Sequence, residues 1–299
     1  TTQRGLIAQA IPEIKGADLA PLALELAAWG VQDAVNLDWL DPPPAASLAQ
    51  ARALLAELDA LDDTGRITAA GHALAQLPLH PRLAHMLRVA GTMQRGALAC
   101  DIAALLSERD IFKGEARRSC DLAERVEVLQ EFRRDGRKAA QARGADANAC
   151  QRIEQAARQW RQLIRARVDE ALSIEPDEIG LLLALAYPDR IAMQRAPHEP
   201  RYQLANGRGA RLPAWELRLR QPFLVAASTD AGVSGEGIIY LAATVRPESL
   251  VEHFAAHIHK EEEVYWDTEQ QAVVARRVER LGALVLDASP IRDADPVRR

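Results

Sequence analysis

The spacing of apolar residues changes once along this chain of 299 residues, at Pro188. Before Pro188, apolar residues recur every three or four positions, which is the period of an amphipathic helix. After it, short β-like runs are separated by Gly, Pro and Asn. The sequence therefore predicts a multidomain protein that is mainly α in its first part and mainly β in its last part.

The first helices follow the order of a winged-helix module. Apolar residues at helical spacing over 19–29 follow Asp18, a favourable N-cap residue. A second helix is predicted over 47–61. The turn chemistry of 62–68 predicts a tight loop with one extended pair, followed by a third helix. We predict a winged-helix domain over residues 15–78, and residues 1–14 match no pattern.

The next part of the chain, residues 79–188, is predicted to be a helical bundle. Its helical pattern begins at Pro81 and runs for about a hundred residues, interrupted by Gly-containing breaks. A last helix opens at Pro176 and ends before Pro188, because proline disfavours helix at the residue before it.

Residues 189–299 are predicted to form an OB-like β-barrel. The segment contains several short strand-like runs and one helix, predicted over 247–257. Several short strands with an inserted helix are typical of a small barrel, and an OB-like barrel fits best.

Charge is segregated along the chain, although the net charge is only -5. Residues 18–63 contain 9 acids and one base, whereas 109–167 contain 15 bases and 9 acids, and 190–220 contain 7 bases and 2 acids. Affinity for phosphates comes from Lys and Arg. This pattern indicates a basic surface in the middle of the chain and an acidic surface at its front that faces another partner. Any single Arg over 117–167 is expected to pair with a nearby Glu or to face water.

The chain lacks the common catalytic motifs. It contains no GxxxxGK[ST] loop for nucleotide phosphates, no GxSxG elbow and no HExxH motif. We therefore expect no catalytic residue, no metal and no cofactor in this chain. His253 and His257 stand four positions apart on a predicted helix, with His259 just beyond, so they could reach one ion. Solvated histidines at a helix end are the favoured interpretation.

The surroundings of the cysteines and the apolar runs bear on the compartment. Cys100, Cys120 and Cys150 form no CxxC pair and indicate small buried residues under reducing conditions. The longest apolar run, over 181–187, is far shorter than the roughly 20 residues that cross a bilayer. We therefore expect a cytoplasmic protein with no membrane partner.

The block Arg201-Tyr-Gln-Leu-Ala-Asn-Gly-Arg-Gly-Ala-Arg211 is the sharpest candidate for a ligand contact. Tyr202 can stack a base and Arg208 can hold a phosphate, while Gln203 and Asn206 supply amides for hydrogen bonds. The alternative is a simple β-turn whose glycines are needed for positive φ.

Several segments of the chain together match a known pattern. They are Ala17–Gly30, Trp39–Pro44, Leu61, Arg66–Thr68, Gly71, Leu79–Leu87, Leu105–Asp110, Ala186–Ala192, Arg201–Ala210 and Val264–Asp267. Taken together, these segments resemble the DEAH-box RNA helicases of the HrpB branch, and the resemblance covers nearly the whole chain. General DEAH helicases share the winged-helix part, whereas the Tyr-Gln-Leu-Ala-Asn-Gly block points to the HrpB branch.

The resemblance implies that the parent protein unwinds or remodels RNA with ATP and Mg. The chain would be its accessory region, in which a winged helix, a ratchet bundle and an OB-like barrel grip single-stranded RNA and dock on motor domains that this chain lacks. Two alternatives are a winged-helix transcription regulator with a ligand-sensing barrel and a purely structural docking module. The predicted nucleic-acid contacts are Arg82, Arg109, Arg190, Tyr202, Gln203, Asn206, Arg208 and Arg211.

Overall fold

The computed structural model describes residues 12–34, 37–166, 174–230, 236–268 and 271–291. Its contacts divide the chain into two compact units, residues 1–88 and residues 89–299, which are described separately below. The three predicted domain boundaries stay a prediction. Of the unplaced segment 1–14, residues 1–11 lie outside the described residues.

The structure is mainly helical before Pro188 and mainly β after Arg190, as predicted. The helices are α1 (Ala20–Ala28), α2 (Ala45–Glu57), α3 (Ala69–Ala75), α4 (Pro81–Thr92), α5 (Gly96–Ser107), α6 (Leu122–Asp135), α7 (Arg137–Ala142), α8 (Ala147–Leu163), α9 (Pro176–Ala186) and α10 (Pro247–His253). The strands are β1 (Ile191–Gln194), β2 (Arg201–Leu204), β3 (Gly209–Arg211), β4 (Phe223–Thr229), β5 (Glu236–Thr244), β6 (Ile258–Asp267), β7 (Ala272–Leu281) and β8 (Leu284–Pro290).

In the first unit, local hydrogen bonds set the ends of the helices. The N-cap of α1 is Leu19, one residue after the predicted Asp18, and the Asp18 carboxylate orders the turn before the helix by accepting a hydrogen bond from the Ala20 amide (2.9 Å). Helix α2 ends at Glu57, four residues before its predicted end. The reason is that Asp59 adopts a left-handed φ of 55° and Ala60 donates back to the Leu55 carbonyl (2.8 Å).

The predicted wing is a single antiparallel bridge between Leu61 and Ile67. The Asp62 carboxylate closes the loop by accepting hydrogen bonds from downstream backbone amides, and Thr68 Oγ1 then caps α3 by accepting from the Gly71 amide (2.9 Å). The order helix, helix, wing, helix is therefore confirmed. The unit closes over a core that contains Leu24, Leu55, Leu58, Leu61 and Leu74.

Asp18 also makes the first unit sensitive to acid. His80 Nε2 lies 3.2 Å from its carboxylate, and hydrogen bonding from His80 lowers the Asp18 pKa to about 2. A depressed folded-state pKa stabilises the fold above the unfolded value of 3.8, and this contribution is lost as the pH falls towards 2. Because the Asp18 carboxylate is about half exposed, its interaction with His80 contributes less than about 1 kcal/mol to the free energy of unfolding.

We predict that Asp18→Asn lowers the free energy of unfolding of the chain slightly at pH 7, and that the difference from wild type shrinks between about pH 4 and pH 2. Urea unfolding of both proteins across this pH range measures the effect. A difference that grew on acidification would contradict the assignment.

In the second unit, the helical bundle is organised around α5. This helix is buried almost all round, including Asp101, which is only 3% exposed. Arg133 of α6 and Arg161 of α8 both donate hydrogen bonds to the Asp101 carboxylate, and both also bond Glu154. The expectation that these arginines pair with carboxylates is confirmed, but the pairing lies inside the bundle rather than at its surface.

Strands β1 to β5 form a closed barrel in the order β1-β2-β3-β5-β4. Strand β3 runs parallel to β5, and the other neighbours, including the closing pair of β1 and β4, are antiparallel. Side chains that alternate along the strands fill the interior. They include Tyr202, Leu204, Leu224, Ile239 and Ala242.

The last three strands do not join the barrel, contrary to the prediction of one barrel over 189–299. They form a separate antiparallel sheet in the order β6-β7-β8. Because β1 pairs with β4, every barrel strand already has two neighbours and no edge is left for β6. The turn between β7 and β8 rests on the barrel, where the Ala283 amide donates to the Ala205 carbonyl (2.8 Å).

Helix α9 packs against the end of the barrel at β5. A Cβ added at Gly180 would overlap the Thr244 carbonyl oxygen and lie 2.6 Å from the Thr244 carbonyl carbon, so the helix approaches the strand more closely than any side chain would allow. Among the described residues, no helix is long and apolar enough to span a membrane.

Candidate nucleic-acid interface

A cleft of about 790 Å³ lies between the bundle and the barrel of the second unit. Two segments that carry the resemblance contribute to it, since Leu105, Leu106, Glu108 and Asp110 line one side and Tyr187 lines another. The remaining lining residues are Ile111, Gly114, Arg117, Arg118, Cys120, Arg125, Pro213, Trp215, Ala227, Ser228, Tyr240 and Leu241.

Trp215 is held at the cleft by its neighbours. Its side chain is 64% exposed, and its indole N–H donates to the Arg118 carbonyl (3.2 Å). The next residue, Glu216, is buried, and its carboxylate accepts hydrogen bonds from the amides of Cys120 (3.2 Å) and Arg218 (3.0 Å). These contacts tie the segment after β3 to the residues just before α6, while most of the Trp215 side chain stays exposed.

Tyr240 offers a second aromatic face on the outer side of β5. Its ring is 51% exposed, and its hydroxyl donates to the Asp230 carboxylate (3.0 Å), which raises the Tyr240 pKa. Asp230 also accepts a hydrogen bond from the Ile238 amide (2.8 Å). The ring is therefore fixed against the barrel, as a surface for stacking requires.

Cations lie beside these aromatic rings. Arg117 and Arg118 are exposed at the cleft, and Arg118 pairs with the exposed Glu115 (2.8 Å). Such an exposed pair is worth little, so it leaves the guanidinium accessible to a stronger anion. Arg125 is different, because it is buried and bonds both Asp110 carboxylate oxygens (2.7 and 3.1 Å). It holds the cleft wall in place.

Cys120 also lies in the wall, as a buried free cysteine. Burial raises the pKa of its thiol to about 11, so the thiol is neutral. Cys100, Cys120 and Cys150 are all buried and free, as the sequence indicated.

Two of the predicted contact residues are buried. Arg82 is 6% exposed in the first turn of α4. Tyr202 is fully buried in the barrel, where its single hydroxyl proton has two carbonyl acceptors within reach, Leu219 (3.1 Å) and Gln221 (3.0 Å), and burial raises its pKa to about 12. The expectation that Tyr202 stacks a base is not met, because neither face of the ring reaches the surface.

Two further predicted residues flank the cleft. Arg109 is exposed and stands between the lining residues Glu108 and Asp110. Arg190 is half-buried, donates to the Ala227 carbonyl (3.0 Å) and stacks over the Tyr187 ring at 4.9 Å. Arg190 therefore contacts two residues that line the cleft, Tyr187 and Ala227.

The other four predicted residues lie on the β2–β3 hairpin. Asn206 accepts a hydrogen bond from the Arg208 amide (3.0 Å), which shapes the turn, and Gly207 adopts a φ of 84°. Asn206, Arg208 and Arg211 are exposed and Gln203 is half-buried on the outer face. The hairpin therefore has the glycine-containing β-turn that was the alternative interpretation, and it also exposes three of the predicted contact residues.

Sequence reasoning missed Trp215, Tyr240, Arg117 and Arg118. An outward position in an alternating strand is the one signal that could have selected Tyr240. Trp215 stands in the segment between β3 and β4, where no strand periodicity predicts which side chains are exposed.

The histidines do not form a metal site in the part of the chain that the structure describes, where no group of three potential ligands lies close enough. The helix that was predicted over 247–257 ends at His253 in the structure. His257 lies in a 3₁₀ turn and His259 lies in β6. The i, i+4 argument for a shared ion is therefore wrong.

Comparison with known families gives two matches. The model described as "Helicase associated domain (HA2), winged-helix" matches residues 51–79, which contain most of α2, the wing and α3. The model described as "ATP-dependent RNA helicase HrpB, connector region" matches residues 257–291, which contain the sheet β6–β8. The winged helix is thereby confirmed.

Similar proteins agree with both matches. ATP-dependent RNA helicase HrpB from Escherichia coli K12 is 33% identical over 285 residues, covering 95% of this chain and 32% of that protein. The probable ATP-dependent RNA helicase DHX35 from Homo sapiens is 36% identical over 103 residues, covering 34% of this chain and 15% of that protein.

A solved structure extends the likeness to the fold. The crystal structure of the E. coli DExH-box NTPase HrpB matches with a TM-score of 0.74 and 32% identity, over 97% of this chain and 32% of that chain. This chain thus spans about a third of the length of the HrpB protein that it matches. It belongs to the family of ATP-dependent RNA helicase HrpB and corresponds to a C-terminal region of that family.

Proposed function

We propose that this chain is the accessory nucleic-acid-binding region of an ATP-dependent RNA helicase, and that it grips single-stranded RNA. The cleft between bundle and barrel carries the proposal, because it combines two fixed, exposed aromatic rings, Trp215 and Tyr240, with the exposed cations Arg117 and Arg118. Binding that tolerates any sequence needs these two elements, stacking surfaces for bases and cations for phosphates. The exposed predicted residues Arg109, Gln203, Asn206, Arg208 and Arg211 remain candidates beside it.

We also propose that the barrel is OB-like. Its five strands close in the order β1-β2-β3-β5-β4, with β3 parallel to β5, and it is small enough for side chains to fill the interior. OB folds are five-stranded Greek-key barrels that bind oligonucleotides and oligosaccharides. The assignment agrees with an RNA-binding role.

In this proposal the whole parent protein uses ATP and Mg through motor domains that belong to the same parent chain. It acts in the cytoplasm. The support is the shared family and the length of the E. coli relative, of which this chain matches 32%. In this proposal the chain docks on those domains and hydrolyses no ATP, since it has no phosphate-binding loop of its own.

The test uses single-stranded RNA and the purified chain. We expect Trp215→Ala and Tyr240→Ala each to weaken binding of a labelled oligouridylate by about 5- to 150-fold, because one stacked base is worth about 1–3 kcal/mol. Fluorescence anisotropy at fixed salt measures the affinity. Trp266→Ala is the matched control, since this Trp is 56% exposed on the separate sheet. Unchanged affinity in both cleft variants would overturn the proposed site.

The same assay separates the alternatives. A purely structural docking module would bind no oligouridylate at all. A winged-helix transcription regulator would bind duplex DNA more tightly than single-stranded RNA at equal salt. The strongly acidic composition of residues 18–63 argues against the second outcome, since a reader of DNA needs cations facing the phosphates.

A further inference from the structure

The outer face of β2 and β3 presents two arginines side by side. Arg201 of β2 and Arg211 of β3 are directly opposite in the antiparallel ladder, and both are exposed. Their strand neighbours Tyr202 and Ala210 point into the barrel, so the two guanidinium groups leave from its outside. Like charges placed opposite each other are unfavourable on a sheet.

A third arginine reaches the same face from the end of β1. Arg195 is exposed, and its Nη2 atom lies 3.0 Å from the position that a Cβ would take at Gly209 of β3. A glycine at this position leaves room for the guanidinium to lie against the strand. Arg195, Arg201 and Arg211 are called the arginine face below.

The charge on this face is not balanced by the residues around it. Glu236 of β5 accepts a hydrogen bond from Arg201 Nε (2.9 Å) and so compensates one of the three cations. Arg195 and Arg211 make no ion pair with any residue that the structure describes. Glu199 is the one acid in the exposed loop between β1 and β2, and it shares that loop with His198. A polyanion would relieve the remaining repulsion.

The arginine face leads to the cleft along β5. Arg211 is paired with Ile238 in the parallel ladder. Tyr240 stands two residues further along β5 on the same outer side, which corresponds to about 7 Å. A strand of nucleic acid whose base stacks on Tyr240 would therefore bring its adjoining phosphates over Arg211.

We propose that the arginine face is a second phosphate-binding subsite, which holds the backbone of the RNA strand where it leaves the cleft. This inference rests on the proposed function, and it adds a subsite that has no aromatic ring of its own. The cleft would hold bases and phosphates, while the arginine face would hold phosphates alone, so binding there depends on charge and on the length of the RNA.

The test compares two lengths of labelled oligouridylate, about 4 and about 16 nucleotides, which bracket the site sizes of OB folds. The double variant Arg195→Ala/Arg211→Ala is expected to bind the short RNA as wild type does and the long RNA less tightly. Its plot of log affinity against log salt for the long RNA should be shallower by about 1.4, since each lost contact to single-stranded RNA contributes about 0.7. The double variant Arg152→Ala/Arg165→Ala removes the same charge from exposed positions elsewhere in the second unit and should leave both lengths unchanged.

The outcomes separate the two proposals. If the wild-type chain binds neither RNA, the proposed function itself fails. If the wild type binds both but the arginine-face variant has an unchanged affinity and salt slope for the long RNA, the subsite is overturned and the cleft stands. An equal loss for both lengths also overturns it, because the arginines would then act on the cleft itself. Circular dichroism of the variants confirms that the barrel is folded.

Discussion

Asp101→Asn is expected to lower the free energy of unfolding of the second unit by about 3–5 kcal/mol, the usual cost of breaking a buried ion pair from one side. Asp101 accepts two hydrogen bonds from Arg133 (2.6 and 2.7 Å) and one from Arg161 (2.7 Å). The asparagine side chain carries no negative charge and has one acceptor oxygen where aspartate has two. Its NH2 group would face an N–H donor of one of the arginines. Glu154, which both arginines also contact, would then supply the remaining negative charge for the two guanidinium groups.

Urea unfolding followed by circular dichroism measures this loss. Asp135→Asn is the matched control, because Asp135 pairs with Arg134 (2.8 Å) on the exposed surface at the end of α6, the helix that also carries Arg133, and a pair there is worth about 0–1 kcal/mol. If Asp101→Asn cost no more than this control, the network would not hold α5, α6 and α8 together. The network has no contact with the cleft, so the variant tests stability and leaves the binding proposal untouched.

The sequence predicted the helical parts well because their signals are local. Asp18, Gly30 and Thr68 act at the ends of helices through bonds that span only a few residues, and each could be recognised from its neighbours. The change from α to β at Pro188 was visible for the same reason, since the hydrophobic period is a property of a short window.

The errors arose where a partner far along the chain decides the outcome. Nothing near Tyr202 shows that its hydroxyl meets carbonyls 17 and 19 residues later, so an exposed stacking ring was expected where the barrel has its core. The separate sheet β6–β8 was missed similarly, because strand patterns do not show that β1 and β4 close the barrel first.

The candidate site was predicted only in part, and for a related reason. The segments around Arg109 and Arg190 were selected by their resemblance to the family, and the structure places both beside one cleft. Trp215 and Tyr240 become candidates only when the bundle and the barrel are seen together, since the carbonyl that holds the Trp215 indole belongs to Arg118, 97 residues earlier in the chain.

Gly180→Ala is expected to destabilise the second unit by about 2 kcal/mol or more, because added volume in a packed contact forces the backbone to move. The new methyl group would overlap the Thr244 carbonyl and meet the Val245 Cβ at 3.0 Å, and neither is the end of a flexible side chain that could turn aside. Relief requires α9 to move away from β5, and this contact joins the last helix to the barrel. Gly91→Ala provides the matched control in α4, where an added Cβ would have nothing within 4 Å.

At Gly91 the same substitution should be neutral or stabilise by about 0.4–1 kcal/mol, since alanine restricts the unfolded chain more than glycine does. The two glycines therefore separate the effect of tertiary contact from the effect of helix propensity, which is common to both. Thermal unfolding of the two variants measures the difference. A gain in stability at Gly180 equal to that at Gly91 would mean that α9 does not rest on the barrel as the structure shows. Tyr187, which lines the cleft, directly follows α9, and Arg190 comes three residues later. A displacement of α9 should therefore also weaken RNA binding.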